Sequence, residues 1–545
     1  MGKPPDSLHR RKPVSLRGDD AAFSDTDALP PVKGGVKRRL PTRVLALVGV
    51  TLLLLAGAAG AVMLWLGVSP GAEIGDDGGA IQADTDTQPP DDAPDVSGAM
   101  PPAPGDAPTA GPPEAGPFAG APPAGDMPVD TSSTPPSGAP VSPGGGAGGA
   151  MLPGAWPNFR GPDWDNVVKG GPRLSTSWGS GGPKRLWSVQ LGEGHSGPAV
   201  LDGRVYVFDY DQTARADKMR CFSLQDGREV WSHSYPGEIK RNHGMSRTVP
   251  SVTSDYVVGL SPKCRVVCLQ AGTGSPVWDI DLVSKYGTQV PTWYAGQCPF
   301  IDGDSVIIAT GGKALMVAFS IADGSVLWTA PNPNGWQMTH SSILKVTAGG
   351  REQYVYCYSG GVAGISTDGE LLWETDKWRV STANIPTPIP IGNDRIFLSG
   401  GYNAGGMLLK IENSGGAQKV VIEKKLEPSV AGSKQQTFVL YNSHLYGVVP
   451  SDELACMDLQ GKQLWRSGST KRFGLGPFLI ADGKVVILGD KGDLVLAEAS
   501  PSSYRELARA KVLEGPDAWA PLALVGNRLL ARDLKTMVCL DMTGS

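Results

Sequence analysis

CFSLQDGREVW (residues 221–231), CLQAGTGSPVW (268–278) and AFSIADGSVLW (318–328) are one motif written three times. Each begins with a small residue, places a glycine six positions later and ends on tryptophan four positions after that. Further copies end at Trp373, after Gly369, and at Trp465, where Cys456 and Gly461 make a turn one residue shorter. Tryptophans 231, 278, 328 and 373 are spaced by 47, 50 and 45 residues, and the 92 residues from there to Trp465 are two periods of 46. Each period opens with an apolar run, a turn and a second apolar run, as in PAVLDGRVYVFD from Pro198. An alternating third run, the glycine turn and the tryptophan run follow. Alternation bounded by Asp-Gly turns predicts antiparallel hairpins. Four short strands repeated at this period predict the blades of a β-propeller.

Working outward, blade starts fall at Pro198, Pro250, Pro299, Ser342, Pro386, Thr437, Pro477 and Pro521, which predicts eight blades. Two copies are degenerate: KIENSGGAQKVVIEKKL, ending at Leu426, keeps the hairpin without the tryptophan, and a second spans residues 493–513. The last copy, MVCLDMTGS, ends the chain without a tryptophan strand. KRLWSVQLG, with Trp187, precedes the first complete blade. Joining the two makes one blade and leaves no open sheet edge. The expected fold is therefore all-β, an eight-bladed propeller closed by its N- and C-terminal strands, over residues 155–545.

Seven cysteines lie in this region, four of them (Cys221, Cys268, Cys456 and Cys539) at the small-residue slot that Ala318 and Gly364 fill elsewhere. That exchange predicts small buried side chains rather than disulfides. Cys264 and Cys268 are four residues apart on a strand, about 13 Å, against a limit of roughly 7 Å for a bridge. There is no CxxC pair of the kind that binds zinc.

Residues 44–68, VLALVGVTLLLLAGAAGAVMLWLGV, carry no charge. Roughly 20 apolar residues cross a bilayer, so they predict a transmembrane helix. Lys33, Lys37, Arg38, Arg39 and Arg43 precede it, and acidic residues from Glu73 onward follow with no Lys or Arg before Arg160. The positive-inside rule then puts residues 1–43 in the cytoplasm as a disordered tail, with the propeller outside the inner membrane, in the periplasm. The long charged segment ahead of the apolar run argues against a cleaved signal peptide. Residues 69–154, rich in Pro, Gly and Ala with Phe118 their one aromatic residue, cannot bury a core and are expected to form a disordered stalk. The net charge of −5 gives no reason to expect nucleic-acid binding.

The Cys221–Gly227–Trp231 pattern and its copies resemble the tryptophan-docking repeat of pyrroloquinoline quinone (PQQ)-like propellers. That family includes quinoprotein alcohol dehydrogenases and the outer-membrane assembly factor BamB. The lead-in WPNFRGP, residues 156–162, also looks like the opening of membrane-anchored bacterial members. The resemblance implies a structural role for Trp187, Trp231, Trp278, Trp328, Trp373 and Trp465, each wedged between blades.

A quinoprotein dehydrogenase would need a pair of adjacent cysteines, a Ca²⁺ site and an Asp base. No such pair is present, and neither a GxSxG elbow nor an HExxH helix occurs, so no catalytic, cofactor or metal residue is expected. Asp209, Asp211 and Asp217, in DYDQTARAD, lack the glycine and glutamate of a calcium loop and are expected in a solvated hairpin loop. The loops from each outer strand to the next inner strand share one face. They carry His195, Arg247, Trp293, His340, Trp378 and Arg379, together with His243, Lys434 and Trp519. An apolar body with a polar tip suits recognition of a protein partner; capping of the barrel core is the competing role. The expected function is a protein-binding or scaffolding module, BamB-like in envelope assembly. The alternatives are a PQQ-dependent dehydrogenase and a ligand-sensing ectodomain.

Overall fold

A computed structural model describes residues 154–179 and 181–544. The tail, the apolar run 44–68 and nearly all of the stalk lie outside the described residues. No helix among the described residues is long and apolar enough to cross a membrane.

Eight sheets, each with four antiparallel strands, make the blades; Val167–Val168 adds to one of them in parallel. Blade 1 comprises Ala199–Leu201, Arg204–Asp211, Ala216–Ser223 and Glu229–Pro236. The inner strands of blades 2 to 8 begin at Ser251, Phe300, Leu344, Ile389, Val439, Phe478 and Ala523, within three residues of the starts expected from the repeat. In blade 8, Lys184–Gln190 pairs with Thr536–Asp541 beside Arg528–Arg532 and Ala523–Val525. Trp187 stands directly opposite Cys539 there. The strand that leads into blade 1 and the last three strands share one sheet, so the ring closes as its repeat requires.

A register shift interrupts the pairing of third and fourth strands in all eight blades. A bulge of this kind sharpens twist and re-aims side chains. Here it turns the tryptophan outward, across the blade boundary. The small slot faces the ring: Cys221 pairs with Trp231, Ala318 with Trp328 and Cys456 with Trp465. All seven cysteines are buried and free.

The indole N–H groups of Trp187, Trp231, Trp278 and Trp465 donate to carbonyls of the following blade, at Leu224 (3.0 Å), Ala271 (3.0 Å), Ile321 (2.8 Å) and Ser500 (2.9 Å). Each ring of the first three also lies against the next blade's turn glycine. Gly227 has φ +74°, and a Cβ there would come within 2.8 Å of the Trp187 ring. Glycine meets both demands at once, the left-handed turn and the close approach. Trp328 packs the same way against Gly369. Trp373 differs: it is buried among blade 4 and blade 5 side chains, and its N–H donates to Gln353 Oε1 of its own blade (2.5 Å). Where the fifth blade lacks tryptophan, Leu426 fills the place against Gly461.

A second girdle lies nearer the axis, built from side chains that precede or open the inner strands. Ser196 Oγ donates to Thr248 O (2.6 Å), Ser251 Oγ to Pro299 O (2.6 Å) and Ser341 Oγ to Pro386 O (3.0 Å). Cys298 N donates to Ser342 Oγ (3.1 Å), Thr387 N to Thr437 Oγ1 (2.9 Å) and Gln436 Nε2 to Leu475 O (2.6 Å). These bonds link blade 1 through blade 7 and satisfy buried polar groups that would otherwise oppose folding.

Candidate functional site

The loops from outer to inner strands bring four of the six expected recognition residues together. His195 Nε2 lies 2.9 Å from the carbonyl of His243, and its ring stacks on Trp519 with centroids 4.8 Å apart. Contact with a carbonyl assigns the proton to Nε2. Arg247 Nη2 donates to the carbonyls of Asn242 (2.6 Å) and His243 (3.1 Å). Trp293 tilts against His340 at 6.1 Å. Arg247 ties the group electrostatically. Burial, aided by its cation, pushes His195 down to about 3 and His340 down to about 4. Both imidazoles are neutral at physiological pH and buried, so neither offers a cation to a partner. They hold the loops together.

Trp378 and Arg379 stand apart, on the loop between blades 4 and 5. Trp378 is not a surface residue: it is 2% exposed and packs in the core cluster of those blades with Trp373, Ile396 and Leu398. Arg379 is exposed and donates to the Asp376 carbonyl (3.2 Å). His195, His340 and Trp378 are all buried against neighbouring residues rather than turned to solvent.

The acidic string also departs from expectation. Asp209 and Asp217 lie buried within the second and third strands of blade 1, and only Asp211 caps the turn between them. Asp209 accepts from Gly192 N (2.9 Å), Tyr210 N (2.9 Å) and Arg220 Nη1 (3.2 Å). Asp217 has no hydrogen bond at Oδ1, and burial pushes its carboxyl up to about 7. Among the described residues, no group of three or more His, Cys, Asp or Glu side chains is placed to hold a metal ion.

Asp217 makes the stability pH-dependent. Its folded pKa lies above an unfolded value of about 3.9, so its contribution is complete below pH ~4 and is lost as pH rises through about 7. Asp217→Asn should stabilise the domain by about 4 kcal/mol at pH 8 and by only about 1.5 kcal/mol at pH 5. Denaturant midpoints at the two pH values measure this; equal gains at both would show that the carboxyl does not titrate there.

The same face carries a feature with a weaker sequence signal. Tyr402 sits in the turn GGYNAGG (400–406) with φ +53°, followed by Asn403 at φ +64°. It is 46% exposed and is the one aromatic side chain among the exposed large hydrophobic residues described. With Asn403, Pro428, Ser429, Lys434 and Pro450 it lines an open groove of about 540 Å³. An aromatic ring in a glycine turn, where no core can use it, was the signal available.

An eight-bladed ring sealed by tryptophan docking defines the class, a PQQ-like β-propeller. The chain belongs to that family: the model described as outer membrane protein assembly factor BamB matches residues 166–258 and 215–460. Among solved structures it is similar to BamB from Moraxella catarrhalis, at 14% identity over 66% of this chain and 97% of that one, with a TM-score of 0.46. It is also similar to the quinohemoprotein alcohol dehydrogenase of Comamonas testosteroni, at 12% identity over 72% and 81%, with a TM-score of 0.43. A third is the computationally designed Ika8 protein, at 12% identity over 65% and 99%, with a TM-score of 0.45. No curated protein matches the sequence. No activity follows from these likenesses.

Proposed function

We propose that this chain is a non-catalytic, protein-binding propeller, held outside the cytoplasm by the apolar run 44–68 and carried on the 69–154 segment. The observation that carries the reading is the groove at Tyr402. It offers an exposed ring, two prolines and the Lys434 ammonium, which also bonds Asp452 Oδ1 at 3.2 Å. An aromatic anchor beside a polar rim is what protein recognition uses. The buried His–Arg group on the same face supports the non-catalytic half, because both imidazoles are covered by loops and His195 Nε2 and Arg247 Nη2 are bonded to loop carbonyls. Burial also pushes the cysteine thiols up, to about 11 or 12, where they are poor nucleophiles. The family's description as an assembly factor favours a role in envelope assembly.

The test is crosslinking of the full chain in membranes, followed by mass spectrometry. Tyr402→Ala with Lys434→Glu should remove the crosslinked partners and leave thermal unfolding unchanged. Recovery of the same partners would overturn the groove as the interface. Turnover of an alcohol by the purified protein, with PQQ, Ca²⁺ and a dye acceptor, would overturn the non-catalytic half.

A further inference from the structure

The lead-in does more than approach the ring; it crosses it. Trp156 and Val200 of blade 1 exchange backbone hydrogen bonds (2.8 Å each), and Val252 N of blade 2 donates to Pro157 O (2.9 Å). Trp164 stacks on Phe300 of blade 3 with centroids 4.2 Å apart. Asn166 Nδ2 then donates to Phe478 O (3.0 Å), and Val167–Val168 pairs with the inner strand of blade 7. In a ring of eight, blades 2 and 3 lie opposite blades 6 and 7. The segment therefore passes over the axis, and Arg160 is at the crossing. Its Nη2 donates to Phe438 O, immediately before the inner strand of blade 6 (3.3 Å), and to Asp165 O (3.3 Å).

Among the described residues, those two long bonds to neutral carbonyls are all this guanidinium has. It is 3% exposed, and Nε has no partner among the described residues. Nη1 donates to none of them either. No described carboxylate forms an ion pair with it; the nearby Asp165 is engaged by Lys169 (3.1 Å) and by Val167 N (2.9 Å). Arg532, also deeply buried and also without a partner at Nε, differs in donating to two carbonyls at 2.9 Å with Asp209 beside it. The backbone that aims Arg160 is strained. Arg160, Trp164 and Asn166 have φ of +69°, +58° and +61°, in a region L-residues rarely occupy. Strain and an under-partnered buried cation in one short segment point to a ligand rather than to packing.

We propose that Arg160 anchors an anion site on the propeller axis that takes a single carboxylate group. The planar fork of a guanidinium matches a carboxylate with two parallel hydrogen bonds, and Nε with one Nη is the usual pair that makes them. One cation balances one negative charge, which favours a carboxylate over a doubly charged phosphate. The site is independent of the groove at Tyr402 and stands whether or not that groove binds protein.

The full chain in detergent would be titrated with propionate and, at matched ionic strength, with inorganic phosphate. Thermal unfolding and the Arg160 Nε–Hε resonance would be followed together. Propionate is expected to raise the unfolding temperature saturably and to move that resonance, with phosphate at least tenfold weaker. Arg160→Lys, which keeps the charge without the fork, should weaken the propionate effect at least tenfold, and Arg160→Gln should abolish it. No saturable response of the unaltered protein to any carboxylate, free or on a peptide, or an equal response in Arg160→Lys, overturns the proposal. Because the unaltered protein decides the first outcome, a variant that fails to fold does not block the test. A free carboxylate is separated from one on a protein by adding a peptide with an amidated C-terminus and a single Glu. If only the peptide responds, the carboxylate is a partner's side chain; if neither propionate nor the peptide responds, there is no site.

Discussion

Trp187→Ala is expected to destabilise the propeller by about 3–5 kcal/mol, as much as Trp278→Ala, although Trp187 stands before every complete repeat. Its indole is 8% exposed, donates to Leu224 O at 3.0 Å and lies against Gly227 of blade 1. Trp278 does the same two blade boundaries further on, with Ile321 O at 2.8 Å and Gly324. Equal geometry predicts equal loss. Trp187 adds a consequence that Trp278 does not share, because its strand belongs to the sheet that closes the ring. Loosening that strand exposes ladder groups of the neighbouring Thr536–Asp541 strand and should promote aggregation. Denaturant midpoints for the two variants, measured side by side, give the comparison. A Trp187→Ala loss near zero beside a large Trp278→Ala loss would mean that the ring does not depend on its closing strand.

The blades were legible because each turn carries a signal that geometry makes obligatory. Gly227, Gly274 and Gly324 combine a left-handed φ with contact to a tryptophan ring, so no other residue serves. Blade 5 shows the limit of that signal. Leu426 takes the docking place, but an aliphatic residue in a strand has no spacing that marks it out. The inner girdle was invisible for a similar reason. Ser196, Ser251, Ser341 and Thr437 are ordinary loop residues until the ring sets each beside its neighbour blade.

The candidate site was less legible, and the reason is burial. His195, His340 and Trp378 share the residue types of a recognition face, yet loops packing on loops cover them. Composition identifies the face a residue is on but not whether its ring turns inward. Asp209 and Asp217 misled in the opposite sense: alternating acids read as a solvated loop, while strand pairing carries both into blade 1. Arg160 lay within a motif noted only for its resemblance. Its place on the axis depends on contacts with Val252, Phe438 and Phe478, residues distant in sequence from it and from one another.

Arg532→Ala should destabilise the domain by about 3–5 kcal/mol through an electrostatic route distinct from that of Trp187. The side chain is fully buried, and burial lowers its pKa to about 10, so it stays charged at neutral pH. From Arg528–Arg532, the second strand of the closing blade, it donates to Gly192 O and Ser196 O, both at 2.9 Å, in the segment that leads from Lys184–Gln190 into blade 1. Its Nη2 lies 3.9 Å from Asp209 Oδ1. Removing the guanidinium leaves two buried carbonyls without these donors and a buried carboxylate supported by Arg220 alone among side-chain cations. Removing one cation from a buried charge group is the costly outcome, more so than replacing the whole group. Arg532→Met, which retains most of the apolar stem, should recover little, because packing is not what is lost. Asp209→Asn in the Arg532→Ala background should restore part of the stability, giving a coupling of about 1–3 kcal/mol in the double-mutant cycle. Additive losses would show that the two groups do not interact, and that Arg532 holds the seam through the Gly192 and Ser196 carbonyls alone.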